Sequence, residues 1–281
     1  MKVVDTIPRM STLVKILKKE GKSIGLVPTM GYLHEGHLSL VRAAKKHVDV
    51  VVMSIFVNPI QFGACEDFEK YPRDFKRDEG LATSAGVDII FAPRAEEMYP
   101  EDYATYVNVE GLTETMCGQS RPGHFKGVTT VVAKLFDIVR PDIAYFGQKD
   151  AQQAIVIKKM AKDLNMGVEM KMMPIIREPD GLAMSSRNVY LSGPERKDAA
   201  ALYGSLKKAE SLVKSGERDA KKIARAIEES LKKVPTAKID YISITDTIML
   251  KEVNRIAGET LMALAVFIGK TRLIDNIIVK V

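Results

Sequence analysis

The feature that most constrains this chain is an alternation of short apolar runs with helix-like segments through about residue 176. Short apolar runs predict strands at 23–27, 48–57, 87–91, 143–146 and 168–176, and the run at 48–57 is rich in β-branched residues. Helical periodicity predicts helices at 37–46, 74–85, 128–139 and 151–164. Strands that alternate with helices form βαβ units. We therefore expect an α/β fold with a Rossmann-like, doubly wound parallel sheet covered on both faces.

The residues after about 177 follow a different pattern. Ser192 and Glu195 have the spacing of a capping box, which predicts a helix reaching about residue 214. A second helix is predicted at 218–233, and strand-like runs follow at 240–244, 261–268 and 274–279. Helices followed by antiparallel strands indicate a smaller α+β domain. We expect a ligand-binding domain at 1–176 and a C-terminal domain at 177–281 that closes over the active site.

The composition narrows the class of protein. The two cysteines, Cys65 and Cys117, form neither a disulfide framework nor a paired-cysteine zinc motif, which favours a reducing cytoplasm. The longest apolar stretches are far shorter than the ~20 residues that cross a bilayer, and the first residues lack a signal-peptide core. The net charge is +6, but the lysines are spread along predicted helices. We therefore expect neither a nucleic-acid nor a membrane partner.

Two histidines, His34 and His37, follow one predicted strand and open one predicted helix. The first turn of a helix presents unpaired backbone N–H groups and the positive end of the helix dipole, both of which favour anions. Gly36 would allow a phosphate to approach the backbone closely, and imidazoles there would donate hydrogen bonds to phosphoryl oxygens. Taken alone, the pair is equally compatible with two surface histidines. A zinc site is disfavoured because no third ligand has a useful spacing.

A second signal is the segment Met184-Ser-Ser-Arg187-Asn188, which lies in a predicted loop. Arg187 offers a planar fork for phosphate, and the serines add short hydrogen-bond donors. Taken alone, the segment is more typical of an ordinary turn. Together with the His-x-Gly-His motif, it resembles the nucleotidyltransferase superfamily, whose members attack the α-phosphorus of a nucleoside triphosphate.

Further motifs resemble those of one particular family within this superfamily. They are PTMGYLHEGHLSLV from Pro28, SIFVNPIQF from Ser54, YPRD from Tyr71, RPGHFKGV from Arg121, FGQKD from Phe146 and REPDGLAMSSRN from Arg177. In this order, and covering nearly all of residues 1–190, they resemble the pantoate–β-alanine ligase (pantothenate synthetase) family. The C-terminal third has a compatible length but adds few specific residues.

The resemblance implies a reaction and a set of substrates. ATP and pantoate would give pantoyl adenylate and pyrophosphate, and β-alanine would then attack the adenylate to release pantothenate and AMP. It also implies Mg²⁺ with the ATP, a homodimer, and binding of nucleotide and pantoate by the first domain. The metal ligands stay unassigned, with Asp78 the one carboxylate considered.

The resemblance also implies roles for individual residues. The catalytic residues would be His34, His37, Lys149, Ser185, Ser186 and Arg187. The ATP site would comprise Met30, Gly31, Tyr32, Leu33, His34, Glu35, Gly36, His37, Gly147, Gln148, Lys149, Asp150, Ile176, Met184, Ser185, Ser186 and Arg187. The pantoate and β-alanine site would comprise Asn58, Gln61 and Gln153. Amide side chains suit these substrates because they donate and accept hydrogen bonds without adding charge.

Three alternatives remain open from the sequence. A cytidylyltransferase would use a similar histidine motif but would leave the nucleotide on its product. An aminoacyl-tRNA synthetase is disfavoured because the C-terminal region shows no anticodon-binding module. A nucleic-acid-binding protein without enzymatic activity would need a basic stripe or stacking aromatics, whereas only 6% of the residues are aromatic.

Overall fold

A computed structural model of the chain describes residues 1–64 and 66–281, so Cys65 lies outside the described residues. The chain forms two compact units. The first comprises Met1–Glu110, Arg121–Gly147 and Val156–Pro174; the second comprises Gly111–Ser120, Gln148–Ile155 and Ile175–Val281. These units reflect packing alone, and the functional boundary at residue 176 stays a prediction.

The first unit contains a six-stranded parallel sheet. Its strands are β1 (Lys2–Val4), β2 (Ile24–Thr29), β3 (Val50–Ile55), β4 (Ile89–Phe91), β5 (Ile143–Gly147) and β6 (Glu169–Met173), in the order β1-β4-β3-β2-β5-β6. In the central strand β2, Gly25 pairs with Val51 on one side and with Ile143 on the other. The inner strands β2 and β3 are mostly apolar and mostly buried because helices cover both faces of such a sheet. The predicted α/β fold is confirmed.

The helices occupy most of the connections. They are α1 (Ile7–Lys19), α2 (Glu35–Ala44), α3 (Phe75–Ala85), α4 (Ala95–Met98), α5 (Cys117–Ser120), α6 (His124–Val139), α7 (Ala151–Asp163), α8 (Gly193–Ala199), α9 (Ala201–Lys214) and α10 (Ala220–Leu231). The prediction contained neither β1 nor α1. No helix in the described part of the chain is both long enough and apolar enough to cross a membrane.

The second unit contains a three-stranded antiparallel sheet, ordered β7 (Ala237–Asp246), β8 (Glu259–Ile268) and β9 (Thr271–Lys280). The strand β8 is almost wholly buried between its neighbours and the helices. In α10, Ile223, Ile227 and Leu231 are buried at a spacing of four residues and join this core. The predicted smaller α+β domain is confirmed.

The start of α8 has the predicted capping box, since the Glu195 carboxylate accepts the backbone N–H of Ser192 at 2.8 Å. The prediction of one continuous helix from there to residue 214 was wrong. The segment divides at Ala200, which ends α8 and precedes α9.

Candidate functional site

The carboxyl end of β2 lies at the point where the strand order of the sheet reverses. From β2, the sheet continues through β3, β4 and β1 in one direction and through β5 and β6 in the other. Loops that leave neighbouring strands there separate and form a crevice, which is where open α/β sheets bind ligands. The predicted residues Met30 to His37 follow β2 directly, and Gly147 is the last residue of β5.

The buried carboxylate of Asp78 fixes the loop that follows β2. It accepts the backbone N–H groups of Tyr32 at 2.6 Å and Leu33 at 2.7 Å. Gly31 has a φ of +82°, and a Cβ there would lie 2.9 Å from an Asp78 oxygen. Burial raises the pKa of Asp78, while the two N–H donors oppose the rise. The carboxylate considered above as a metal ligand is therefore a loop anchor in this structure.

His34 and His37 together cap the first turn of α2. Nδ1 of His34 accepts the backbone N–H of Gly36 at 3.1 Å, and Nδ1 of His37 accepts the backbone N–H of His34 at 3.3 Å. The ring centroids lie 4.0 Å apart. Because each Nδ1 is an acceptor, each neutral ring carries its proton on Nε2. Two imidazole N–H donors therefore stand at the positive end of a helix, an arrangement that suits phosphate oxygens.

The amide of Gln61 is oriented by a buried hydrogen-bond chain. The hydroxyl of Tyr99 donates to Oδ1 of Asn58 at 2.9 Å, and Nδ2 of Asn58 donates to Oε1 of Gln61 at 3.0 Å and to the carbonyl of Gly127 at 3.1 Å. Nε2 of Gln61 lies 3.1 Å from the sulfur of Met30. Since Oε1 already accepts from Asn58, Gln61 is set to offer N–H groups, which suit a carboxylate or hydroxyl oxygen.

The turn that carries Gln61 packs directly on the start of α6. A Cβ at Gly127 would lie 2.5 Å from the carbonyl oxygen of Ile60 and from Cα of Gln61, so only glycine permits this approach. Nδ1 of His124, also in the first turn of α6, lies 2.9 Å from the carbonyl oxygen of Gln61. The position of Gln61 is thus set by a close backbone contact.

An ion pair supports His124 from the other side. The guanidinium of Arg121 donates two hydrogen bonds of 2.6 Å to the carboxylate of Glu66, and Nη1 of Arg121 lies 3.1 Å from Nε2 of His124. Burial raises the pKa of the Glu66 carboxyl, but the paired guanidinium outweighs burial and holds it below its ordinary value. This chain of contacts, from Glu66 to Gln61, lies within the first unit.

The second unit holds the remaining predicted residues, beginning with a 3₁₀ turn at Gln148–Asp150. Nζ of Lys149 lies 3.4 Å from the carboxylate of Asp150. The two glutamines that follow differ in burial and contacts. Gln152 is buried and hydrogen-bonded to the backbone around Cys117, whereas Gln153 is half-buried. This difference agrees with the choice of Gln153 as the substrate-binding amide, which stays a prediction.

The predicted Ser-Ser-Arg segment follows a short hairpin. The backbone N–H of Met184 donates to the carbonyl of Ile176 at 3.0 Å, which brings these two predicted residues side by side. Oγ of Ser185 accepts the backbone N–H of Arg187 at 3.3 Å and opens a 3₁₀ turn, in which Ser186 is buried. The segment is therefore a turn with local hydrogen bonds, and its role with phosphate stays a prediction.

Local sequence patterns do not mark four residues that contact the predicted ones or the segments before them. Asp78 contacts the loop after β2, Tyr99 contacts Asn58, Asp275 contacts Arg177, and Asn276 contacts the turn at Gln148 and Lys149. No local motif marks these contacts, because each residue acts on a segment far away in the chain. Among residues 1–64 and 66–281, no group of three or more His, Cys, Asp or Glu side chains is arranged to hold a metal ion.

Comparisons with known proteins agree with this arrangement. A family model described as pantoate-beta-alanine ligase matches residues 2–278. A pantothenate synthetase from Caldicellulosiruptor bescii is 60% identical over 280 residues, which cover 100% of this chain and 99% of the relative.

Solved structures agree as well. A pantothenate synthetase from Thermus thermophilus superposes with a TM-score of 0.94 at 46% identity, covering 99% of each chain. A pantoate-beta-alanine ligase from Francisella tularensis, complexed with beta-gamma ATP and beta-alanine, superposes with a TM-score of 0.82 at 35% identity. That superposition covers 99% of this chain and 97% of the other.

Proposed function

The chain belongs to the pantoate–β-alanine ligase family, and from this premise we propose that it uses ATP to join pantoate to β-alanine through pantoyl adenylate. In the first step, a pantoate carboxylate oxygen bonds to the α-phosphorus of ATP and the bond to the β-phosphate breaks, releasing pyrophosphate. In the second step, the β-alanine nitrogen bonds to the acyl carbon and loses a proton, and AMP leaves. The products are pantothenate, AMP and pyrophosphate.

The observation that carries this proposal is the pair of imidazoles at the start of α2. His34 and His37 both use Nδ1 to accept backbone N–H groups, so both present Nε2–H as a donor. Negative charge builds on the phosphate oxygens as the carboxylate attacks and pyrophosphate departs. Donors fixed in place before the reaction stabilise that charge without reorganising. We assign His37 as the main hydrogen-bond donor to the developing phosphate charge and His34 as its partner on the phosphates.

The other roles follow from the chemistry of each side chain. Lys149 acts as a point charge on the α-phosphate, and Ser185, Ser186 and Arg187 bind the triphosphate. The loop from Met30 to His37, the segment Gly147 to Asp150, and Ile176 with Met184 bind the nucleotide. Gln61 and Gln153 hold pantoate, and Gln61 also faces β-alanine.

We propose that Asn58, which the resemblance placed in the substrate site, acts by orienting Gln61. It is 1% exposed, and its amide already contacts Tyr99, Gln61 and Gly127. The functional boundary at residue 176 is proposed as well.

Mg²⁺ is proposed to accompany ATP. The donors at the start of α2 are N–H groups, which suit phosphate oxygens rather than a cation, so the phosphates and water would hold the ion. When bound there, Mg²⁺ would neutralise part of the phosphate charge. A homodimer and a cytoplasmic location are proposed on the resemblance, and sedimentation of the purified chain tests the first.

The test of the function is AMP and pyrophosphate release from ATP and Mg²⁺. We expect sustained AMP release only with both pantoate and β-alanine. Turnover with CTP but not ATP, and without an amine, would favour a cytidylyltransferase instead. Lys149→Ala should lower adenylate formation by ~10²-fold or more. Lys159→Ala, which removes a lysine paired with Asp163 on α7, is the matched control and should retain activity.

A further inference from the structure

We infer that Asn276, on the last strand β9, is a positioning residue for Lys149, an inference that rests on the proposed function of Lys149. The side chain of Asn276 is 3% exposed. Its Nδ2 donates to the carbonyl of Gln148 at 2.9 Å and to the carbonyl of Lys149 at 3.0 Å, while its Oδ1 accepts Nε2 of Gln148 at 3.2 Å. Both hydrogens of the amide are used on the turn that carries Lys149.

Only an amide satisfies this arrangement. Two carbonyl oxygens face Nδ2 and one N–H donor faces Oδ1, so the site requires a donor and an acceptor on one planar group. An aspartate has the same shape but would turn an oxygen toward both carbonyls. An alanine would leave two half-buried carbonyl oxygens without these partners, which costs stability locally and frees the turn to shift.

The preceding residue, Asp275, makes a parallel contribution to another predicted segment. Its carboxylate, 2% exposed, receives two hydrogen bonds from Arg177 at 2.7 and 2.9 Å. Arg177 also donates to the carbonyl of Gly181 at 3.0 Å and pairs with Ala183 in the hairpin before the Ser-Ser-Arg segment. Neighbouring side chains of a strand point to opposite faces. Asp275 and Asn276 therefore hold two different segments, the hairpin at Arg177 and the turn at Lys149.

For catalysis, the contacts of Asn276 matter because they fix the position of Lys149, not because Asn276 binds a substrate. A lysine that stabilises developing phosphate charge must hold its ammonium within hydrogen-bond reach of an oxygen whose position is set by other residues. The two bonded carbonyls stand on either side of the Lys149 Cα, so they restrict where the Lys149 side chain begins. Loss of these bonds leaves the ammonium present but displaced.

The experiment compares the full-length wild type with Asn276→Ala, Asn276→Asp and a control, Val279→Ala. The control removes a buried side chain of the same strand without touching the turn. Hydrogen exchange is measured on the peptide covering 148–153, and adenylate formation is followed as pyrophosphate release before β-alanine is added. Both Asn276 variants should exchange faster in this peptide and lose ~10- to 100-fold in the rate of adenylate formation. The apparent KM for β-alanine should stay within ~2-fold of wild type in the complete reaction, because Lys149 acts in the first step.

The outcomes separate the two claims. If Val279→Ala slows adenylate formation as much as the Asn276 variants do, the effect is general destabilisation and the inference is overturned. Wild-type exchange in the 148–153 peptide of both Asn276 variants also overturns it. If the wild type releases no pyrophosphate, the proposed function fails, and the exchange result alone then decides whether Asn276 holds the turn.

Discussion

The backbone N–H of His34 donates to Nδ1 of His37 across 3.3 Å, so a residue proposed for catalysis also completes the cap of its own helix. The two tasks use different atoms. Nδ1 stabilises the start of α2, and Nε2–H is the donor proposed for phosphate. Replacing either histidine by alanine therefore removes a helix cap and the donor proposed for catalysis together. Such variants cannot separate an effect on folding from an effect on the reaction.

A glutamine at position 37 separates these two tasks. Glutamine at the third position of a helix also bonds the backbone N–H of the capping residue, but it lacks the imidazole. We expect the unfolding free energy of His37→Gln to lie within ~0.5 kcal/mol of the wild-type value. Its rate of adenylate formation should fall by ~10²-fold. Denaturant unfolding and pyrophosphate release measure the two effects. Near-normal turnover in this variant would show that the imidazole is not required and that an amide N–H donor at position 37 suffices.

The Asp78 carboxylate is expected to be essential for the loop after β2. Asp78→Asn replaces an acceptor by a donor that faces the N–H of Tyr32 or Leu33. The unfolding free energy should fall by ~1–3 kcal/mol, and the apparent KM for ATP should rise. Glu79→Gln removes the same charge one residue further along α3 and should match wild type in both measurements. Equal effects in the two variants would mean that net charge, not the anchored loop, is responsible.

The hydroxyl of Tyr99 is expected to act on pantoate binding from a distance. Tyr99→Phe removes the donor to Asn58, so the Asn58 amide can rotate and Gln61 loses its fixed orientation. One neutral hydrogen bond corresponds to ~2- to 10-fold, which should be seen as a rise in the KM for pantoate with little change in kcat. Tyr103→Phe, in the same aromatic cluster, is the control. A larger effect on kcat than on KM would contradict this role.

The Glu66–Arg121 pair is expected to make stability depend on pH. The folded-state pKa of Glu66 is lowered below its ordinary value, so its contribution is present above about pH 4.3 and is lost as the pH falls through the folded value. Wild type should exceed Glu66→Gln in unfolding free energy by ~1 kcal/mol near pH 7. The difference should shrink toward pH 3, whereas the exposed Glu69→Gln variant should follow wild type throughout. A difference that is constant with pH would show that charge pairing is not its source.

Much of the fold could be predicted because its signals are local. Five of the six strands in the parallel sheet were predicted from short apolar runs. The exceptions have physical reasons. The strand β1 has three residues and exists through its pairing with β4. In the segment divided at Ala200, Ala199, Leu202 and Leu206 continue one helical spacing, so the pattern contains no sign of a break.

The residues of the candidate site also fall into two groups, those that a local motif marks and those whose partners lie far away in the chain. The His34–His37 pair is a motif within four residues, and its position at a strand–helix junction was predictable. The supports were not, because Asp78 acts 45 residues from Leu33 and Asn276 acts 127 residues from Lys149. Their partners are set by the tertiary fold, which a single sequence does not reveal.

The position of β2 in the sheet also has a consequence during synthesis. The strand β2 pairs with β3, which follows it closely in the chain. Its other edge pairs with Ile143 and Ala144, which emerge from the ribosome more than a hundred residues after β2. During that interval an apolar strand has an open edge, which can recruit other chains. The junction between the two halves of the sheet, which positions the histidines proposed to bind phosphate, is therefore also an open strand edge in the nascent chain.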